Sequence, residues 1–155
     1  MRKRVICVRE ASVLYESENG KRSITSPEEA AKFAASFFEG SDKEMIYVCT
    51  LNGNNEPVTM EMVAKGSVNW CKADISQIYK TAIISNAASI ICFHNHPSGC
   101  IEPSGVDKLI TEKMETAGRY LDIPLRDHII IGENGNFYSF RRDGTELETE
   151  TEWFE

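Results

Sequence analysis

Near its start the sequence has no apolar run long enough to act as a membrane or export segment. Arg2-Lys3-Arg4 is followed only by Val5-Ile6-Cys7-Val8 before Arg9 and Glu10, too short for the core of a signal peptide or a bilayer span. The cytoplasm is therefore the expected compartment, with no membrane contact. Cysteine is scarce and unpaired in pattern: five residues, an odd number, without Cys-x-x-Cys spacing, which argues against a disulfide framework or a zinc ribbon. Cys7, Cys49 and Cys92 sit in apolar stretches and read as small core residues. Positive charge is also in deficit. With 17 Lys and Arg against 24 Asp and Glu, a net charge of -7 and a pI near 5.1, the chain has the wrong sign to grip a phosphate backbone. No internal repeat is visible. At 155 residues the length suits one domain with one core.

Three histidines remain, and two of them stand in one short segment, His94-Asn95-His96-Pro97-Ser98-Gly99. The apolar run Ser89-Ile90-Ile91-Cys92-Phe93 before it reads as a buried strand. Alternation along a strand sends His94 and His96 to one side and Asn95 to the other, so two imidazoles can converge on one ion. Asp107, on the first turn of the next helix, is placed to add a third ligand and leave a fourth position open for water, as in catalytic zinc sites. Ser104-x-x-Asp107 also has the form of a helix-capping pair, and spacing alone leaves both roles open. Cys100 lies in the loop between the histidines and Asp107, either as an accessible thiol of no consequence or as a thiolate that adds a metal ligand or makes the site redox-sensitive.

The remaining elements follow from local signals. Residues 1–25 read as a hairpin extension turning at Asn19-Gly20. Ser26-Pro27-Glu28-Glu29 starts a helix with a capping box, which Gly40 ends. Residues 44–51 and 58–63 read as paired antiparallel strands joined by a turn-rich loop. On the second of these, Glu61 is either a solvent-facing residue or a placed carboxylate. Asp74 opens another helix; Ser104 caps a third, which Gly118 is expected to terminate. Residues 124–131 and 137–140 form a last hairpin at Asn134-Gly135. His128, next to Asp127, is a buried core histidine or a support for the metal site. Residues 145–155 are rich in glutamate and read as a mobile acidic tail ending in Trp153-Phe154.

His-x-His, ten residues and then Asp, with Ser three residues before that Asp, resembles the JAMM (JAB/MPN-type) zinc metallopeptidase signature. The wording His-Asn-His-Pro-Ser-Gly with Pro103-Ser104 is similar, more narrowly, to the RadC branch, as are Leu51-Asn52, Gly66-Ser67 and Asp127-His128-Ile129-Ile130-Ile131-Gly132. Where many RadC-like domains carry Pro-Arg-Glu, this chain has Ile75-Ser76-Gln77, and it shows no helix-hairpin-helix segment. The resemblance implies a RadC-like JAB/MPN domain over residues 26–144. Its architecture would be α/β: a single three-layer domain with a central mixed β-sheet flanked by helices, of cytidine-deaminase-like form. The same resemblance implies one Zn2+ ion on His94, His96 and Asp107, and Glu61 as the proton-transferring carboxylate. It makes Ser104 a catalytic hydroxyl that donates to the oxyanion, and the substrate a peptide or protein cleaved at a peptide or isopeptide bond beside a sheet edge. His128, Asp127 and Cys100 are candidates for supporting contacts.

Competing chemistries fit less of the pattern. A zinc deaminase would need His-x-Glu and Pro-Cys-x-x-Cys. A Cys100–His96 hydrolase leaves the His94–Asp107 spacing without a purpose. The alternative from another class is a non-catalytic RadC-like accessory protein, linked to DNA repair, that binds DNA or a protein partner around a structural metal. A site closed by four protein ligands would be more usual for that role. The sequence gives no indication of oligomeric state.

Overall fold

Ser26 and Pro27 begin the first helix as their chemistry requires, the serine hydroxyl accepting the Glu29 N–H at 3.1 Å and proline occupying the first turn. The expected reciprocal bond of the capping box is displaced by one residue: Glu29 accepts from the main-chain N–H and the hydroxyl of Thr25, at 2.8 and 2.7 Å. This computed structural model describes residues 23–66 and 74–144. The hairpin expected over 1–25 lies outside the described residues except for its last three, and so does the tail 145–155.

The elements in order are α1 (Pro27–Phe38), β1 (Met45–Leu51), β2 (Pro57–Lys65), α2 (Ile75–Ile84), β3 (Ser89–Asn95), α3 (Gly105–Leu121), β4 (Leu125–Ile131), β5 (Phe137–Ser139) and α4 (Phe140–Asp143). The strands form one sheet in the order β2-β1-β3-β4-β5. Only β3 and β4 run parallel, and the other neighbours pair antiparallel, so the sheet is mixed. The parallel pair is joined through α3, the crossover such a connection needs.

Alternation along the central strands supplies both faces with core residues. Ile46, Val48, Ile90, Cys92 and Ile130 pack with Ile78 and Tyr79 of α2 and Ile110 and Met114 of α3. On the other face Cys49, Leu51, Ile91, Phe93 and Ile129 pack with Ala30, Ala34 and Phe38 of α1. The result is helix, sheet, helix: the three-layer α/β arrangement expected from the sequence. A fully buried isoleucine or phenylalanine contributes roughly 1.5–3 kcal/mol relative to an exposed one, and every residue of β3 is buried.

The termination of α3 departs from expectation. The helix runs past Gly118 to Leu121 and stops at Asp122, whose φ of 56° is left-handed. Gly118 is needed for a different reason. A Cβ there would meet the Ile123 carbonyl oxygen and the Tyr79 hydroxyl, each at 2.7 Å.

Candidate metal centre

The site gathers at the C-terminal end of β3. His94 is the penultimate strand residue and His96 lies just beyond the strand, both on the α3 side of the sheet. Their Nε2 atoms are 2.9 Å apart. Asp107, in the first turn of α3, brings Oδ1 to 3.2 Å from His94 Nε2 and Oδ2 to 3.3 Å from His96 Nε2. A fourth residue completes the group: Glu44, immediately before β1, has a carboxylate oxygen within 4.8 Å of the ligand atoms of all three.

The capping pair expected at Ser104 forms, and the same Asp107 carboxylate faces the two histidines. Asp107 Oδ2 accepts from the Ser104 N–H and hydroxyl, both at 2.7 Å, while the hydroxyl accepts the Asp107 N–H at 3.1 Å. Oδ1 is buried and makes no regular hydrogen bond, its polar neighbour being His94 Nε2 at 3.2 Å. A buried carboxylate oxygen in that state is costly unless a cation meets it. The Ser104 hydroxyl thus donates its proton to Asp107 in this geometry.

His96 is oriented by the turn that follows it. Gly99 closes the turn on the His96 carbonyl at 2.9 Å with a φ of 73°, a backbone state glycine adopts readily. This returns the Cys100 carbonyl to 2.7 Å from His96 Nδ1. A carbonyl only accepts, so Nδ1 carries the proton and Nε2 of the neutral ring presents its lone pair to the cluster. Cys100 thus touches the site through its main chain, and its thiol is in the exposed part of the loop.

His94 and His128 are both fully buried. His128 Nε2 lies 2.8 Å from His94 Nδ1, and its Nδ1 lies 2.6 Å from the Thr111 hydroxyl. Its ring stacks on Phe140 at 4.8 Å. His128 is therefore a core histidine and a neighbour of the cluster at once. Asp127 belongs elsewhere: it accepts from Ser139 Oγ at 2.6 Å and from the N–H groups of His128 and Arg141, tying β5 and α4 to β4. Burial pushes its carboxyl up to about 7.

Glu61 does not join the cluster. It sits opposite Val48, which in turn faces Cys92 rather than His94, and β1 separates it from β3. Its carboxylate accepts from the Thr81 hydroxyl of α2. The acidic residue beside the cluster is Glu44, because Ile46 lies opposite His94 and one alternation further along brings Glu44 toward His96. The sequence signal for Glu44 was only an acidic residue heading a strand. Its value depends on β1 being the antiparallel neighbour of β3.

Charge follows the same geometry. Burial alone would raise the Asp107 carboxyl, but contacts with both imidazoles and with Ser104 hold it well below the ordinary carboxylate range. The hydrogen bond to Asp107 raises His96, whereas burial lowers His94 and lowers His128 further. Beside His96 a cleft of about 510 Å³ opens between the end of α1 and the loops after β3 and β4; Phe38, Glu39, Asn95, Gly99 and Glu133 are among its walls.

Zinc bonds of about 2.0–2.2 Å in a tetrahedron put donor atoms roughly 3.4 Å apart, close to the spacing of the two imidazoles and Asp107. Nitrogen and carboxylate donors that converge in this way fit such an ion. Two imidazoles and a carboxylate at a strand end of a mixed α/β sheet, with a further acidic group alongside, make a largely buried group that could hold a metal ion. Comparison with known proteins places the protein more narrowly: the chain belongs to the RadC-like JAB domain family, matching over residues 24–145. It is 36% identical over 131 residues to a UPF0758 protein of Pelodictyon phaeoclathratiforme (strain DSM 5477 / BU-1) and 34% identical over 131 residues to one of Chlorobium chlorochromatii (strain CaD3). Each match covers 84% of this chain and 59% of the relative. Among the described residues no helix is long and apolar enough to cross a membrane.

Proposed function

We propose that the protein is a zinc-dependent hydrolase of peptide or isopeptide bonds, with His94, His96 and Asp107 as ligands and Glu44 as the proton-transferring group. The observation that carries this reading is the convergence of Glu44 on a three-residue set in which both imidazole Nε2 atoms and the buried Asp107 Oδ1 face one point. Zinc held there would supply Lewis acidity and a water of lowered pKa. Glu44, a carboxylate beside that position and outside the three-ligand set, receives a proton from the attacking water and delivers it to the leaving nitrogen. Ser104 contributes by holding Asp107 Oδ2, which turns Oδ1 to the ion.

Elemental analysis of the purified protein, with His96→Ala in parallel, tests the first half. Near-stoichiometric zinc, absent from the variant, is expected. Peptide and isopeptide libraries with Glu44→Gln as control test the second. Zinc without turnover on any of them, together with a salt-dependent shift of labelled DNA, would move the accessory-protein reading to first place.

A further inference from the structure

Thr111 stands in a hydrogen-bond chain whose proton positions are determined from both ends. Its hydroxyl is 2.7 Å from the Asp107 carbonyl oxygen and 2.6 Å from His128 Nδ1. The hydroxyl has one proton and the carbonyl can only accept, so that proton goes to Asp107 and Thr111 Oγ1 accepts from His128 Nδ1–H. At the other end, His94 must offer a lone pair on Nε2 to bind a cation, which leaves its own proton on Nδ1. That proton points at His128 Nε2 across 2.8 Å. Two N–H groups cannot face each other there, so His128 Nε2 is unprotonated. Both ends give the same species: neutral His128 with its proton on Nδ1.

We propose that Thr111 is a positioning residue of the metal centre, which acts through His128 to fix the tautomer and ring orientation of His94. The chain runs from His94 to His128, to Thr111, to the backbone of Asp107. It closes a circuit, because the side chain of Asp107 meets the same ion as His94. His94, Asp107, Thr111 and His128 are all fully buried, so water does not substitute for a missing member. A threonine bonding back to the carbonyl four residues earlier is ordinary in a helix. Here the same bond sets the hydroxyl's polarity and makes its lone pair the acceptor for His128. The inference rests on the metal reading above but not on hydrolysis.

Two measurements on the full chain test it. In zinc-loaded protein labelled with 15N-histidine, the ring-nitrogen shifts are expected to show His128 protonated on Nδ1 and His94 bound through Nε2. Zinc titration is expected to show about 10–100-fold weaker binding for Thr111→Val, the range for lost outer contacts of a metal ligand, and recovery to within a few-fold of wild type for Thr111→Ser. Protonation of His128 on Nε2, or wild-type zinc affinity in a folded Thr111→Val protein, would overturn the proposal. If Thr111→Val does not fold, the wild-type tautomer decides alone. A wild-type chain that binds no zinc overturns the metal reading itself, whereas zinc bound with the opposite tautomer overturns only the role of Thr111.

Discussion

Asn95 grips the main chain on both sides of Glu44. Its Oδ1 accepts the Met45 N–H at 2.8 Å and its Nδ2 donates to the Lys43 carbonyl at 3.1 Å. Both partners have fixed polarity, so the amide can sit only one way round. The residue between the two histidines, which points to the opposite face of the sheet, thereby holds the segment that carries the acidic group. Asn95→Ala is expected to retain zinc while hydrolysis falls at least about tenfold, and to lose roughly 1–3 kcal/mol of stability as a buried donor and acceptor lose their partner. Metal analysis, turnover and urea unfolding of the one variant separate these effects. Loss of zinc with turnover per bound ion unchanged would contradict the assignment.

The two glutamates give opposite expectations. Glu44→Gln keeps the ligands but removes the proton acceptor, and should lower kcat by about 10²–10⁴-fold, the usual scale for a positioned acid or base. Glu61→Gln disturbs, among the described residues, the contact with Thr81 and should leave kcat within a few-fold. The reverse pattern on a verified substrate would return the role to Glu61.

Protons and zinc compete at His96 more than at His94. The raised His96 is the group that must lose a proton when the ion binds, while the lowered His94 is already neutral near pH 7. Zinc affinity should therefore rise about tenfold per pH unit below the His96 pKa and level off above it, with about one proton released per ion. The metal-free protein has the opposite trend from this residue. Protonated His96 paired with Asp107 stabilises the fold fully below the ordinary histidine pKa, and that contribution is lost as pH rises through the elevated one. Titrations across pH 5.5–8.5, roughly one unit below and two above the ordinary value, would show both slopes. A flat affinity profile would exclude His96 as the competing group.

Cys100 serves the site through its carbonyl, so Cys100→Ser should keep full zinc stoichiometry and affinity within about twofold, since the backbone bond to His96 Nδ1 survives. A large loss of zinc in this variant would assign a role to the thiol.

Gly118→Ala inserts a methyl group against the Ile123 carbonyl and the Tyr79 hydroxyl. The Tyr79 hydroxyl is itself bonded to the Met114 carbonyl at 2.7 Å, so neither neighbour yields easily. A loss of about 1–3 kcal/mol, the usual cost of overpacking, is expected in chemical unfolding. An unchanged midpoint would show that the α2–α3 contact is looser than described.

The same glycine shows where the sequence was legible. Caps at Ser26, Asp74 and Ser104, the alternation of the strands and the His-x-His spacing are local patterns, and the elements and three of the cluster's residues followed from them. Gly118 was read as a helix end because a glycine in the last turns usually is one; its tight contact with a neighbouring helix is tertiary. Glu44 is illegible for the same reason. A glutamate before a strand carries no local mark of what stands opposite, and the choice between Glu44 and Glu61 depends on which strand is the neighbour of β3.

The antiparallel meeting of β1 and β3 joins residues such as Met45 and Asn95 that are 50 positions apart. Neither half of the chain holds the whole cluster until that pairing forms, and a contact of this separation carries a large loop-closure cost. An ion that recognises only the finished sheet draws the folding equilibrium toward it by mass action. Zinc supply would then govern how much folded protein exists, as well as how active each molecule is.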